Sequence, residues 1–516
     1  MSLISYAQAS GQLWLPDKSR NMGIHLMAGR GSGKSRLMGR MIGWNDFIRN
    51  IPLVILDPAG PTIDNLLDKI LRAPQAEQEA LLSRVVYVDM SGRGTRVVPF
   101  PLYYRLGEES LYEVSQRFLD TVQSADPNLL SASVQGWNAL WRIGTYTGMV
   151  LAGLGYQITE AEDLLAHPKE WTDRLHLALQ QHPDDLVSAV DFFLNEYPAM
   201  DKREREMLTR AFLTKITAFA LDRRLTAMFG AGTPGIDWGR VIRKRQAVLL
   251  DFRRVTDPQE RRFKMLWVFQ SFFAFIKHRG AGRHLPLSFI VDELANLSHT
   301  QVQGESPFAK ALDELINVYA RNSMVWLTLA HQELFQIEQR IQPTLMSLGT
   351  QILGVTSDRN AALAMAKQLF PIDPNKVKRY DAIYATSRGI SEVIDTRPVT
   401  FTPEEQHYVA SNLLTSKRLF EFLVRPAAAE GDISVTMYHV NIKGVDAGQW
   451  IAEPEVRTLR DRLRDHTGIL VSDILSQIAK RRDGIITEPP AYADDIPPYQ
   501  TDETDDEEPL SDERIW

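Results

Sequence analysis

The 516-residue chain contains no cysteine, which excludes disulfides, zinc–thiolate centres and a thiol nucleophile. It also lacks a long hydrophobic run. Its best candidate, Ile143 to Gly155, is too short to span a bilayer, and Arg142 stops it from extending backwards. Met1 to Ser10 has no basic flank leading into an apolar core, so no signal peptide is expected. These absences predict a cytoplasmic protein without a membrane segment. No internal repeat is evident. Neither sign of charge dominates, the net being −7, but the distribution is uneven. From Asp483 to Trp516 twelve Asp and Glu face the single Arg514, a net of −11, which leaves the rest at +4. A mildly basic body with an acidic tail suits a protein that meets nucleic acid, and equally a solvated surface with a solubilising tail.

What is present starts near the front. Gly23-Ile24-His25-Leu26-Met27 reads as a buried strand, and Arg36-Leu37-Met38-Gly39-Arg40-Met41-Ile42 opens a helix. Between them lies Ala28-Gly29-Arg30-Gly31-Ser32-Gly33-Lys34-Ser35. Strand, glycine-rich turn and helix form the context of a phosphate-binding loop. Glycines allow successive N–H groups to face phosphate oxygens, and the helix N-terminus adds partial positive charge. The expected nucleotide contacts are Gly29, Arg30, Gly31, Ser32, Gly33, Lys34, Ser35 and Arg36. Lys34 would bridge the β- and γ-phosphates, and the Ser35 hydroxyl would reach Mg²⁺.

Pro52 to Pro58 and Val85 to Asp89 read as further strands, and Arg96 to Phe100 as the close of this block. Strands alternating with helices imply an α/β fold with a parallel sheet and ligands at the strand C-termini. From Gly107 to Gly230 the pattern turns helical, with Leu111, Val114, Phe118 and Val122 on one face and Leu208, Phe212, Ile216 and Phe219 on another. The α/β pattern resumes with strands at Ala247–Phe252, Leu285–Val291, Val325–Ala330, Gln351–Val355 and, last in the core, Leu419–Val424. One basic helix is expected from Glu455 to Arg482, then a proline-rich linker and a tail too acidic to fold alone. The organisation read from this is 1–106 and 231–440 as two parts of one α/β domain, 107–230 as an all-helical insertion, 441–482 as a helical extension and 483–516 as a disordered tail.

The strand Leu285 to Val291 ends in Asp292-Glu293. Asp292 would accept from the water shell of Mg²⁺, and Glu293 would position and deprotonate an attacking water. Adjacent acids suit repeated ATP hydrolysis. A neighbouring strand ends in His331-Gln332, where Gln332 would sense the γ-phosphate. Arg321, just before that strand, is the candidate to neutralise transition-state charge in a neighbouring subunit, with Arg359 in reserve. Basic clusters at Arg240–Arg245, Arg253–Lys264 and Lys376–Arg379, and the loop Ser298–Lys310, are candidate phosphate-backbone contacts.

The ordered set formed by Ala28–Ser35, Leu56-Asp57-Pro58-Ala59-Gly60, Val291–Leu297, Arg321 through Gln332, and Leu348–Ile352 followed by Ser357-Asp358 resembles the HerA/FtsK superfamily of DNA translocases. Within it, the helical interruption is most similar to the TraD/TraG-like coupling proteins of type IV secretion. The resemblance implies a RecA-like P-loop ATPase domain using ATP and Mg²⁺, assembled as a homohexamer with DNA in a central pore. It implies Lys34, Ser35, Asp292, Glu293 and Gln332 in the roles given above. A protein partner, either an effector nuclease or transfer machinery, is expected. The alternative is an ATP-gated scaffold that regulates such an effector without moving DNA. His331 stands where the superfamily often has a small polar residue, and no N-terminal membrane helix or β-barrel is evident.

Overall fold

Fourteen strands are seen in a computed structural model that describes residues 6–8, 15–126, 134–280, 282, 284–298, 306–387, 390–416, 418–427, 437–442 and 452–483. They are β1 (Tyr6–Gln8), β2 (Ile24–Met27), β3 (Leu53–Asp57), β4 (Val85–Asp89), β5 (Arg96–Val97), β6 (Ala247–Asp251) and β7 (Leu287–Val291). They continue as β8 (Val325–His331), β9 (Thr350–Leu353), β10 (Val377–Ser387), β11 (Ile390–Thr400), β12 (Glu421–Arg425), β13 (Met437–Asn441) and β14 (Ile469–Leu470). Ten form one sheet in the order β1-β13-β12-β9-β2-β8-β7-β3-β6-β4. From β9 to β4 every pairing is parallel. Strands β2, β3, β6, β7 and β8 are buried along their whole length, as a parallel sheet covered on both faces requires.

Every described element between Leu111 and Phe229 is helical. These helices share one hydrophobic core with a face of the sheet. Phe263, on helix Pro258–Arg279, lies 5.3 Å from Phe219, 5.7 Å from Phe229 and 6.5 Å from Phe118, ring centre to ring centre. That helix starts sharply because the Asp257 side chain accepts from Glu260 N and Pro258 needs no donor at the first position. Helix Leu111–Ala125 begins with a reciprocal Ser110–Glu113 capping box.

Three expectations are corrected. The segment Arg96 to Phe100 does not close the main sheet: β5 pairs only with β14, antiparallel. The single helix expected from Glu455 to Arg482 is two, Glu453–His466 and Val471–Arg482, because Gly468 takes φ +95° and turns the chain. The strand at 421–425 is not the last of the core, since β13 and β1 extend the sheet beyond it. The second of the two helices is tied back by Arg481, which pairs with buried Glu160 at 3.0 Å and donates to Gly230 O at 2.7 Å. Residues 299–305 of the Ser298–Lys310 loop, and the tail from 484 on, lie outside the described residues.

Candidate nucleotide site

The loop strand β2 lies between β9 and β8, and β8 separates it from the acid-bearing β7. All of these strands run parallel, so the loop, Asp292-Glu293 and Gln332 emerge together at one end of the sheet. The loop itself is fastened at both flanks. Gly29 N donates to Val355 O at 2.7 Å, Ala28 N to His331 O at 3.2 Å, and Phe420 N to Ser32 O at 2.8 Å. Gly31 and Gly33 take φ of +77° and +98°. A Cβ on Gly33 would stand 2.5 Å from Phe420 Cδ1, so both conformation and space require glycine there. The helix begins at Lys34 and its first internal bond is Leu37 N to Gly33 O, which leaves its leading amides for a ligand. The helix then widens to a π-helical stretch, Leu37–Gly43.

Lys34 Nζ lies 3.0 Å from both Asp292 Oδ1 and Glu293 Oε2. Burial pulls the Lys34 pKa down, but the charges and hydrogen bonds of the two carboxylates outweigh it and leave it raised. Ser35 Oγ donates to Asp292 Oδ2 at 3.1 Å. Gln332 Nε2 donates to Glu293 Oε2 at 2.7 Å. Glu293 takes φ +75°, ψ +69°, unusual for a residue with a side chain. Asn296 holds that turn, its N and Nδ2 donating to Glu293 O at 3.0 and 3.2 Å.

Three side chains not anticipated from sequence complete this region. Thr62 Oγ1 donates to Asp292 Oδ2 at 2.7 Å. Phe420 packs on Gly33, with the Arg36 guanidinium 5.9 Å from its ring centre. Glu333 ties the Thr356–Ser357 turn through Thr356 Oγ1 and Ser357 Oγ at 2.5 and 3.2 Å. Asp57 belongs to the motif Leu56–Gly60. Its carboxylate accepts from the amides of Ala59, Gly60, Thr62 and Ile63 and so fixes the start of helix Pro61–Leu71. Burial first, then the Asp292 charge, push its pKa up to about 7.

Asp57, Asp251 and Asp89 stand side by side in register at the ends of β3, β6 and β4. Arg253 bridges Asp251 and Asp64, each at 2.7 Å, and Arg254 pairs with Asp89 at 2.7 Å. Lys264 is buried between Glu260 and Met90 O. Within the basic cluster Arg253–Lys264, Arg253, Arg254 and Lys264 thus have acidic partners of the chain's own, while Arg261 and Arg262 donate to the carbonyls of Val255 and Ser298. Arg321 sits before the start of β8 while Gln332 follows its end, about 20 Å apart by strand rise. Arg321 is thus not brought to its own chain's loop; it is exposed, as are Arg30 and Arg359.

Beneath the loop, β9, β2 and β8 are joined by side chains. His25 Nδ1 lies 2.6 Å from Gln351 Oε1, and His25 Nε2 lies 2.7 Å from His331 Nε2. Gln351 Nε2 faces three backbone carbonyls, so its oxygen accepts and His25 carries its proton on Nδ1. His331 Nε2–H then donates to His25.

A parallel sheet with one strand between the loop strand and the acid strand, and a Lys–Asp–Glu–Gln cluster at its C-terminal end, is a RecA-like P-loop α/β fold. Among solved structures the chain is similar to the bacterial conjugative coupling protein TrwBdeltaN70, with 14% identity over 83% of this chain and 86% of that one, TM-score 0.49. It is similar to the plasmid coupling protein TrwB in complex with the ATP analogue ADPNP, with 14% identity over 84% and 90%, TM-score 0.49. It is also similar to VirB4 of Thermoanaerobacter pseudethanolicus, with 14% identity over 81% and 88%, TM-score 0.47. No protein-family model matches the chain, and no curated protein does.

Proposed function

We propose that this chain is an Mg²⁺-dependent ATPase that works as a DNA motor of the HerA/FtsK type, of the kind that couples DNA to a secretion channel. What carries the reading is the placement of Glu293, whose carboxylate is held between Lys34 Nζ and the Gln332 amide. A general base beside a phosphate-binding cation and an amide donor is suited to hydrolysis of a phosphoanhydride. Lys34 would exchange its two carboxylate partners for phosphate oxygens, freeing Glu293 to take a proton from water. Gln332 would move with it and so report occupancy. Ser35 Oγ and Asp292 offer the hard oxygens that Mg²⁺ takes, while phosphates and water complete its shell.

The ordered motif set supports the motor reading, with a cytoplasmic homohexamer around DNA and a nuclease or transfer complex as protein partner. Residues 1–106 and 231–440 would form the motor, 107–230 its helical insertion, 441–482 an extension and 483–516 a tail. Arg321 is proposed to act on a neighbouring copy's site, since it is exposed and lies away from its own. Among the described residues no helix is long and apolar enough to cross a membrane. The test is the ATPase rate of the full chain with and without DNA, alongside its native mass with and without ATP. A DNA-stimulated rate in an assembled species is expected. A monomeric protein indifferent to DNA would overturn the motor.

A further inference from the structure

Phe420 touches the phosphate loop but has no role in the chemistry proposed above. It lies in the turn before β12, and its φ is +67°, a left-handed conformation that residues with a Cβ rarely take. Strain of this kind persists only where the surrounding structure holds it. Here the backbone of Phe420 is engaged on both sides. Its N–H donates to Ser32 O at 2.8 Å, and its carbonyl accepts from the N–H of buried Ile442 at 2.9 Å. The edge of its ring lies against Gly33, where Cδ1 and Cε1 would stand 2.5 and 3.1 Å from an added Cβ. One residue thus grips the loop by its backbone and by its side chain.

The backbone contact governs which way the loop's amides point. The peptide unit joining Ser32 to Gly33 is planar and trans, so its C=O and N–H point in opposite directions. Phe420 draws the Ser32 carbonyl to its own side, which turns the Gly33 N–H the other way. No carbonyl of the described residues accepts from that N–H. Gly33 is the residue before the helix that starts at Lys34, so its amide continues into the row of leading amides left for a ligand. A flip of the Ser32–Gly33 unit would present a carbonyl oxygen to an anion in place of a donor. The Phe420 ring resists that flip, because it leaves no free space on its side of Gly33.

We infer that Phe420 is a positioning residue for phosphate. By holding the Ser32 carbonyl outward and packing on Gly33, it sets the loop so that the Gly33 N–H donates to a bound polyphosphate. The group recognised is the phosphate chain and not the base. The inference rests on the nucleotide site proposed above and adds to it a residue from the last third of the chain.

The full chain and its Phe420→Ala and Phe420→Leu variants are titrated by calorimetry, with Mg²⁺, against ATP and against inorganic tripolyphosphate. A hydrogen bond to a charged group is at stake, so Phe420→Ala should weaken both ligands alike, by about 10- to 100-fold. Phe420→Leu refills the space beside Gly33 and should return both to within about threefold of the unaltered chain. Weaker ATP with unchanged tripolyphosphate would make Phe420 a contact of the base and overturn the inference. Unchanged affinities with a lowered urea midpoint would overturn it too, as the mark of a purely structural side chain. Should Phe420→Ala fail to fold, hydrogen exchange in the unaltered chain decides. The Phe420 amide should be protected before any ligand is added, and the Gly33 amide only once tripolyphosphate is bound. A freely exchanging Phe420 amide, or a Gly33 amide protected from the start, would refute the arrangement. Tripolyphosphate binding without ATP hydrolysis would instead sink the ATPase and leave the role of Phe420 standing, whereas a chain that binds neither ligand would sink both.

Discussion

Thr62 and Ser35 donate to one and the same carboxylate oxygen, Asp292 Oδ2, at 2.7 and 3.1 Å. Thr62 is itself held by Asp57, which accepts its amide at 2.7 Å. Helix Pro61–Leu71 thus fixes the orientation of the acid expected to face Mg²⁺. Thr62→Val keeps the shape and removes the donor. The loss of a hydrogen bond to a charged group predicts about 1–2 kcal/mol, or roughly 5- to 30-fold weaker Mg²⁺ dependence of ATP turnover. An Mg²⁺ titration of the ATPase checks this, and an unchanged midpoint would remove Thr62 from the argument.

Glu293→Gln retains the hydrogen bond to Lys34 and loses the base. Turnover is expected to fall about 10²- to 10⁴-fold while nucleotide affinity is kept. Fluorescent-nucleotide binding beside phosphate release separates the two. Normal turnover would end the assignment of Glu293.

The buried histidines make stability depend on pH. Burial pulls the His25 pKa down to about 4, against the Gln351 hydrogen bond, and burial with the His25 and Lys34 charges holds His331 well below its usual value. The unfolded chain takes up these protons near pH 6.5, whereas the folded one does not. Stability is therefore fully present above pH 6.5 and falls as pH drops toward 4, by about 3 kcal/mol for His25. Asp57, raised to about 7 by burial, acts with the opposite sign in that window. Urea midpoints of the unaltered chain and His25→Gln, compared at pH 7 and pH 5, isolate the histidine. The variant should lose less, and parallel curves would refute the coupling.

Gly39 has no room for a side chain. A Cβ there would stand 2.3 Å from Thr62 O and 2.8 Å from Asn65 Cβ. Gly39→Ala should cost about 1–3 kcal/mol by overpacking and displace Thr62 as well. Chemical denaturation with the same Mg²⁺ titration reads both effects, and a variant as stable as the parent would show that the two helices can part freely.

The loop with its strand and helix was legible because its glycines, lysine and apolar flanks are adjacent in the chain. Asp292-Glu293 and Gln332 were legible for a similar reason, each closing an apolar strand. Thr62 and Phe420 were not, since only the tertiary fold brings residues 62 and 420 to residues 292 and 33. The β10–β11 ribbon is not marked in the sequence, because its apolar residues are exposed and carry no core periodicity. The cluster from Arg253 to Lys264 reads as basic surface because two of its acidic partners, Asp64 and Asp89, are remote in sequence. Glu455–Arg482 read as one helix because charge pattern alone does not reveal that Gly468 adopts a left-handed turn.

Strand β2 has a consequence for synthesis. Both its neighbours, β8 and β9, leave the ribosome some three hundred residues after it. Phe420, which braces Gly33, follows 387 residues later (420 minus 33). At translation speeds of about 5–20 residues per second that is a wait of roughly 20–80 s. Until β8 and β9 have emerged, Ile24–Met27 is an apolar strand with two open edges. Nascent chains stalled before residue 350 should accordingly be held by chaperones and bind no nucleotide, whereas chains released past residue 425 should bind it. A strand made early is thus paired only late.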